Sequence, residues 1–204
     1  MVDLPRQTNY ELAVSRAVEQ LRHVPAEDLK CLGAERLEDG RLRLPVLNAF
    51  FLVDSAAGKV ESPEGEAVGV GWAILALHYL ASPVKGAVPA ATVSFGQIAD
   101  GRGYMGPYNG RVIQRFLRTA GRTEHDFRCS AGRLGGEEVK GGDAAFLFRV
   151  FPLFPVTVVW HAGDEELGPG ATMLYAKDAA ARMCVEDIVV MSELLVGKLS
   201  GKGW

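Results

Sequence analysis

The stretch AAFLFRVFPLFPVTVVW, residues 144–160, decides the fold of this chain. It contains two runs rich in aromatic and β-branched residues, AAFLFRVF and VTVVW, joined through Pro152-Leu153-Phe154-Pro155. Runs of this length and content favour strands. The stretch TMLYA, residues 172–176, is a further candidate strand. We therefore expect a sheet in the C-terminal half of the chain.

A second group of strand signals lies nearer the N-terminus. Asp39-Gly40 separates ERLE from RLRLPV, and an Asp-Gly pair between two such runs is a hairpin signal. AFFLVD, residues 49–54, indicates another strand, which ends before the turn at Gly58. These segments predict a small antiparallel sheet.

Apolar periodicity predicts the helices. Residues 67–82 are apolar nearly all round, which is typical of a helix that runs through a core. A last helix should begin near Val185 and bury Ile188, Met191, Leu195 and Leu199. We therefore predict one α+β domain, with a mainly antiparallel sheet packed with a buried central helix and a C-terminal helix.

Composition limits the partners. The 204 residues carry a formal net charge of −3, so no overall charge favours nucleic acid or an anionic membrane. The uncharged run from Ala67 to Val84 is interrupted by glycines, and Pro83 should end its helix, so we expect no membrane span. The N-terminus MVDLPRQTNY does not resemble a secretory signal, which favours the cytoplasm. A small molecule or a protein is the expected partner, and the oligomeric state stays open.

Three cysteines, Cys31, Cys129 and Cys184, are odd in number and far apart in the chain. They predict free thiols rather than a disulfide framework. His125-Asp126 with Cys129, and His161 with Asp164, lack the paired spacing of a zinc site. We therefore expect no structural metal, and the sequence indicates no particular cofactor.

The segment GRGYMG, residues 101–106, matches the glycine pattern of dinucleotide-binding loops. That pattern requires a strand before it and a helix that begins within it. Pro107 and Asn109-Gly110 should delay the helix here. The segment is therefore interpreted as a flexible loop, with an amphipathic helix from about Gly110 to Ala120.

That helix places Arg111, Arg115 and Arg118 at i, i+4 and i+7, on one face. Residues 102–133 contain seven arginines and two acidic residues, a local charge of +5 that leaves −8 for the remainder. Arginine forks suit phosphate or carboxylate recognition. The face is interpreted either as a binding surface for an anion or an anionic partner, or as a solvated surface balanced by acidic loops.

Three adjacent carboxylates, Asp164-Glu165-Glu166, lie between Gly163 and Gly168-Pro169-Gly170. Glycine and proline on both sides indicate a turn. Three carboxylates held together raise a pKa, bind a cation or remain in water, and their spacing alone favours a hydrated turn. His78 lies in the middle of the central helix, where either a hydrogen-bonded core histidine or an acid–base residue is possible.

The run from Gly142 to about Leu199 resembles the C-terminal half of an uncharacterised prokaryotic family, domain of unknown function 3786. The matching features are Asp143 before an apolar strand, the Pro152–Pro155 hairpin, and Trp160 followed by the three carboxylates. LHYL at residues 77–80 and VSF at residues 93–95 also match. Tyr175-Ala176 stands where relatives tend to have Phe-Asp. Some relatives carry a cysteine-rich iron–sulfur module like that of corrinoid proteins, which the three cysteines here cannot form.

Three hypotheses for function follow. The first is a non-covalent ligand- or partner-binding accessory protein, with a metabolic context of anaerobic, corrinoid or iron–sulfur type suggested by the resemblance alone. Its expected ligand site comprises Asp143, Trp160, Asp164, Glu165, Glu166, His78 and Tyr79. The second is an acid–base enzyme with Glu165 or Glu166 as the base and His78 as its partner. The third is a scaffold that docks through the arginine face.

Overall fold

A computed structural model describes residues 5–84, 91–164 and 166–204, with side chains described from Tyr10 onward. The chain forms two compact units, one within residues 1–86 together with Trp204 and the other within residues 87–203. Each unit contains helices and an antiparallel sheet. The predicted α+β class with antiparallel pairing is confirmed, and its strands form two sheets.

The first unit contains three helices and a four-stranded antiparallel meander in the order β1-β2-β3-β4. Its helices are α1 (Pro5–Leu21), α2 (Ala26–Cys31) and α3 (Val70–Ala81). Its strands are β1 (Glu35–Arg36), β2 (Leu42–Val46), β3 (Ala49–Asp54) and β4 (Lys59–Glu61).

The core of the first unit forms on one face of this sheet. Alternate residues of β2 are buried, namely Leu42, Leu44 and Val46. The ring of Phe51 on β3 meets the indoles of Trp72 and Trp204 edge to face, with centroids 5.9 and 5.1 Å away. The predicted hairpin at Asp39-Gly40 is confirmed, and Gly40 has a φ of +85°. Glycine is favoured in this left-handed conformation because glycine has no β-carbon.

The second unit has a five-stranded antiparallel sheet in the order β5-β9-β8-β7-β6. Its strands are β5 (Thr92–Ser94), β6 (Glu137–Glu138), β7 (Ala144–Phe151), β8 (Phe154–His161) and β9 (Gly170–Ala176). Its α-helices are α4 (Gly101–Tyr108), α5 (Gln114–Arg118), α6 (Glu124–Arg133), α7 (Lys177–Ala180) and α8 (Val185–Leu199). A 3-10 turn (Phe95–Gln97) precedes α4, and a π-helical turn (Asn109–Ile113) joins α4 to α5.

The stretch that decides the fold forms the centre of the second sheet. β7 and β8 pair antiparallel, and TMLYA lies in β9 as predicted. Most residues of β7 and β8 are buried, with little alternation. Strands covered on both faces carry near-continuous apolar runs, which explains the sequence AAFLFRVF. The predicted C-terminal helix is confirmed as α8, and Ile188, Met191, Leu195 and Leu199 are all buried.

The expectation of a flexible loop at GRGYMG is wrong, because these residues form α4. A β-carbon on Gly101 would clash with the carbonyl oxygen of Phe95, so glycine permits the close start of this helix. Tyr108 is buried and stacks on Phe95 with ring centroids 3.9 Å apart. The π-helical turn follows directly after Pro107, and such turns accommodate an irregular hydrogen-bond pattern within a helix. Packing therefore overrides the local signal of proline and glycine.

The polar stretch after Ala120 contains a helix that the sequence analysis missed, α6. The Thr123 hydroxyl oxygen accepts a hydrogen bond of 3.0 Å from the Asp126 N–H, which caps the helix. Phe127, Ser130 and Ala131 are buried at helical spacing. The Thr-x-x-Asp pattern followed by this spacing was the available signal.

No helix in the described ranges is long and apolar enough to cross a membrane. The uncharged run from Ala67 to Val84 contains α3, which is 12 residues long and buries Trp72, Leu75, Ala76, Leu77, Tyr79 and Leu80. The prediction of a buried central helix is therefore confirmed within the first unit.

Candidate functional site

Trp160 lies in the core of the second unit. Its side chain is buried, and the indole Nε1–H donates a hydrogen bond of 2.8 Å to the backbone carbonyl of Gly121. His161, the next residue on β8, is exposed, as the alternation of a strand requires. Trp160 therefore fastens the turn between α5 and α6 to the sheet.

Asp143 precedes β7 and is exposed, but its carboxylate is engaged. Its Oδ2 accepts a hydrogen bond of 2.8 Å from the Ala162 N–H, and its own N–H donates to the carbonyl of Trp160 at 3.0 Å. The residue thus closes the open end of the β7–β8 pair. The guanidinium of Arg128 also reaches its carbonyl oxygen at 3.3 Å.

Asp164 organises the turn after β8. Its Oδ1 accepts hydrogen bonds from the N–H groups of Leu167 at 2.8 Å and Glu166 at 2.9 Å. These bonds favour the ionised form, and they lower the pKa of Asp164 below its ordinary value of 3.8. Asp164 and Glu166 are exposed, and Glu165 lies outside the described residues. One of the three carboxylates is therefore held by its own turn.

His78 and Tyr79 belong to the first unit, in α3. Tyr79 is buried, and its hydroxyl donates a hydrogen bond of 2.8 Å to the carbonyl of Leu32. Asp143, Trp160, Asp164 and Glu166 belong to the second unit. The ligand site composed of all these residues, and the pairing of His78 with a carboxylate at 165 or 166, stay predictions.

The three arginines of the predicted stripe have different surroundings. Arg111, in the π-helical turn, donates from Nε and Nη2 to the carboxylate of Glu193 on α8, at 2.9 and 2.7 Å. Its Nη1 lies 3.7 Å from Glu186. This fork is engaged within the protein and raises the pKa of Arg111, so the expectation of a face of three arginines open to an anion requires correction.

Arg115 and Arg118 follow on α5. Arg115 is half-buried, and its guanidinium lies beside Gly197 of α8. Arg118 is exposed at the end of α5, and no described carboxylate pairs with it. Of the three predicted arginines, Arg118 is therefore the candidate for binding a ligand or a partner.

Arg118 lines a cleft of about 410 Å³ at the junction of three helices. The end of α5, one side of α6 along its length and the end of α8 form its walls. The lining side chains are mostly cationic or hydroxyl-bearing: Arg118, Arg122, Arg133, Thr119, Ser130 and Ser200, with His125, Asp126, Cys129, Ala120 and Leu199. The excess of arginine in this region is evident in the sequence, but the cleft was not predicted because α6 was not predicted.

Hydrogen bonds fix the walls of the cleft. The Ser200 Oγ–H donates to Thr119 Oγ1 at 2.9 Å, which ties the end of α8 to the end of α5. The Trp160 indole holds Gly121 in the same turn from the other side. A β-carbon on Gly121 would overlap the ring of Phe116, so this turn approaches the core closely. The backbone that carries Arg118 and Arg122 is therefore positioned by the fold.

The charge of the cleft is positive. Three arginines face it against one carboxylate, Asp126. Asp126 lies 3.5 Å from Nε of Arg122, which is 74% exposed, so this pair is weakly held. Nη2 of Arg133 donates to Ser130 Oγ at 3.4 Å. Guanidinium forks suit phosphate and carboxylate recognition, whereas the Thr119 and Ser130 hydroxyls already donate to the carbonyls of Arg115 and Asp126 at 2.7 Å.

One further pair of side chains lines the cleft. Sγ of Cys129 and Nε2 of His125 lie 3.5 Å apart on successive turns of α6. Cys31, Cys129 and Cys184 are free, as predicted, and all three are exposed. Within the described ranges, no group of three or more His, Cys, Asp and Glu side chains is arranged to hold a metal ion.

A buried chain of hydrogen-bonded hydroxyl groups was not predicted from the sequence either. The hydroxyl of Tyr175 on β9 lies 2.9 Å from the hydroxyl of Tyr108 and 2.7 Å from Oγ of Ser192. Ser192 in turn donates to the carbonyl of Ile188 at 2.7 Å. Burial raises the pKa of Tyr175 to about 12 and the pKa of Tyr108 well above 10. This chain joins α4, β9 and α8 inside the second unit.

The fold and the cleft define an α+β protein with antiparallel sheets and a candidate anion-binding site. The family model described as "Domain of unknown function (DUF3786)" matches residues 25–198. The chain belongs to this family. No curated protein and no solved structure matches it significantly.

Proposed function

We propose that this protein is a non-covalent ligand-binding accessory protein whose ligand is a small molecule bearing phosphate or carboxylate groups. The observation that carries the proposal is that Arg118, Arg122 and Arg133 line one cleft. A context in prokaryotic metabolism of anaerobic, corrinoid or iron–sulfur type is part of the proposal and rests on the resemblance stated above.

The volume of the cleft is compatible with a small ligand. Its volume of about 410 Å³ falls in the usual range for small-molecule sites, roughly 300–1,000 Å³. The guanidinium groups of Arg118 and Arg122 are exposed, so an anion can bind them without displacing a buried ion pair. Phosphate and carboxylate accept paired N–H bonds from such forks.

The fixed backbone also supports binding. The turn that presents Arg118 and Arg122 is held by the Trp160 indole and by the contact between Ser200 and Thr119. A site whose backbone is already in place pays less conformational entropy on binding. Trp160, expected from the sequence to line a ligand site, thus has a supporting role in this proposal.

The test is titration calorimetry with inorganic phosphate, pyrophosphate and citrate as probes, at low and at moderate salt. We expect saturable binding of a multivalent anion that weakens as salt rises, because screening reduces the attraction between exposed charges. Arg118→Gln with Arg122→Gln should abolish it. The matched control is Arg102→Gln, an exposed arginine on α4 outside the cleft, which should leave binding unchanged. Equal binding by all three proteins would refute the proposal.

A further inference from the structure

We propose that Cys129 is a selectively reactive thiol, with His125 as its proton acceptor, and that it forms a mixed disulfide with small anionic disulfides that enter the cleft. The preference for an anionic reagent rests on the proposed function. The reactivity of the thiol rests on the Cys129–His125 pair and does not depend on it.

The geometry is that of a nucleophile beside a base. Residues four apart on a helix face the same side, and Sγ of Cys129 lies 3.5 Å from Nε2 of His125. Both side chains are exposed and line the cleft. A thiol within reach of an imidazole can transfer its proton during attack, which is the usual arrangement of an activated cysteine.

The reaction balances without a metal or a further oxidant. The Cys129 sulfur loses its proton to Nε2 of His125 and attacks one sulfur of the disulfide reagent. The reagent's S–S bond breaks as the new S–S bond to Cys129 forms. The departing thiolate takes the electron pair of the broken bond and then a proton from His125 or from water. One disulfide is consumed, one is formed, and one small thiol is released.

The other two cysteines provide internal comparisons in the same chain. Cys31 is exposed at the end of α2, and Cys184 is exposed just before α8. Partial burial raises the pKa of the Cys184 thiol, and the nearby Asp187 carboxylate acts in the same direction. Cys129 differs from both because it has an imidazole neighbour and arginines around it. The three exposed thiols therefore have three different local environments.

The arginines give the second selectivity. Arg118, Arg122 and Arg133 line the same cleft as the thiol, and their positive charge raises the local concentration of anionic reagents. The attraction acts on an anionic disulfide and not on a neutral one. Effects on the thiol itself are shared by both reagents, so the ratio of the two rates isolates the attraction of the anionic reagent.

The experiment uses the full chain and two aromatic disulfides, the dianionic dithiobis(nitrobenzoate) and the neutral dithiodipyridine. Peptide mapping by mass spectrometry at short times gives a rate for each cysteine. We expect Cys129 to react about tenfold or more faster than Cys31 with the anionic reagent. His125→Asn should slow Cys129 with both reagents, and Arg118→Gln with Arg122→Gln should lower the ratio of the anionic to the neutral rate. Cys129→Ser should remove the fast phase, and Arg102→Gln should change neither rate.

The outcomes separate the two proposals. Equal rates at Cys129 and Cys31 with the neutral reagent, together with no effect of His125→Asn, overturn the reactive thiol and leave the anion site to be judged by calorimetry. A His125 effect without an arginine effect upholds the thiol and counts against the anionic preference. Circular dichroism of each variant checks that α6 remains folded. Oxidised glutathione, an anionic disulfide, should give the same ranking of cysteines as the dianionic reagent.

Discussion

The indole of Trp160 and the carbonyl of Gly121 are joined by a hydrogen bond of 2.8 Å, although 39 positions separate them in the chain. One partner lies in a central strand, β8, and the other lies in the turn between α5 and α6. Both residues are buried. This bond connects the most regular part of the second unit to the turn that carries the arginine-lined cleft.

Replacing Trp160 by Phe should destabilise the protein by about 1–3 kcal/mol, because the buried Gly121 carbonyl would lose its donor. Anion binding in the cleft should weaken as well, since the turn loses its anchor. Urea unfolding and calorimetry measure the two effects. Thr157→Val, a partly exposed position on the same strand, is the control and should change both by much less. Unchanged stability of Trp160→Phe would contradict the anchoring role.

A pair of glycine substitutions tests the close approach of the same turn. Gly121→Ala places a β-carbon against the ring of Phe116, and overpacking of this kind costs about 1–3 kcal/mol. Gly132→Ala in α6 meets open space and should stabilise by about 0.5–1 kcal/mol, since alanine is the better helix former. Thermal unfolding of the two variants should therefore shift in opposite directions. Stabilisation by both substitutions would show that the turn at Gly121 relaxes to accept a β-carbon.

Tyr175→Phe should cost about 1–3 kcal/mol at neutral pH, because the buried hydroxyl of Tyr108 loses its hydrogen-bond partner. Ser192 keeps its bond to the carbonyl of Ile188 and should contribute little to the loss. Chemical denaturation measures the difference. Tyr104→Phe, a less buried tyrosine on α4, is the control and should have a smaller effect.

The same variant has an expected alkaline signature. An unfolded tyrosine ionises near its ordinary pKa of 10, whereas burial raises the pKa of Tyr175 to about 12. The folded state thus binds more protons between these values, and its stability falls as the pH rises through that window. Tyr175→Phe lacks this contribution. The difference in free energy of unfolding between the wild type and Tyr175→Phe should therefore shrink by about 1.4 kcal/mol per pH unit above 10. A constant deficit up to pH 11 would contradict the raised pKa.

Asp164→Ala should lower the melting temperature, because the turn loses two acceptor contacts to backbone N–H groups. Asp164→Asn should retain part of the effect, since an amide oxygen accepts similar bonds. The pKa of Asp164 in the folded protein lies below the ordinary value of 3.8. The ionised carboxylate therefore stabilises the folded protein above pH 3.8, and this stabilisation is lost as the pH falls through the folded-state pKa. The gap between wild type and Asp164→Asn should close in that acidic range. Glu166→Gln is the control.

A double-mutant cycle with Arg111→Gln and Glu193→Gln should give a coupling free energy of about 0.5–1 kcal/mol. The pair is bidentate, but its side chains are 40% and 22% exposed, so solvent screens it. Higher salt should reduce the coupling. A coupling of zero would mean that Arg111 is available to an external anion after all.

The regular elements of the second unit were within reach of sequence analysis. β7, β8 and β9 carry runs of aromatic and β-branched residues, and α8 repeats buried positions at helical spacing. The cap and the spacing of α6 were also legible, and it was missed because its exposed positions are strongly polar. α4 is different in kind. Its glycines and Pro107 predict a break, and the packing of Tyr108 on Phe95 outweighs that local preference.

Some features of the candidate site were likewise evident in the sequence, and others were not. The sequence alone showed that arginines concentrate between residues 102 and 133, that the cysteines are poorly spaced for a disulfide or a zinc site, and that a turn follows Trp160. It could not show that Arg111 binds Glu193, which is 82 positions away, while Arg118 reaches a cleft bounded by Leu199. Periodicity and turn residues act through neighbours in the chain. Ion pairing, burial and cleft formation depend on which distant segments the fold brings within a few ångströms of each other, and only the tertiary structure decides that.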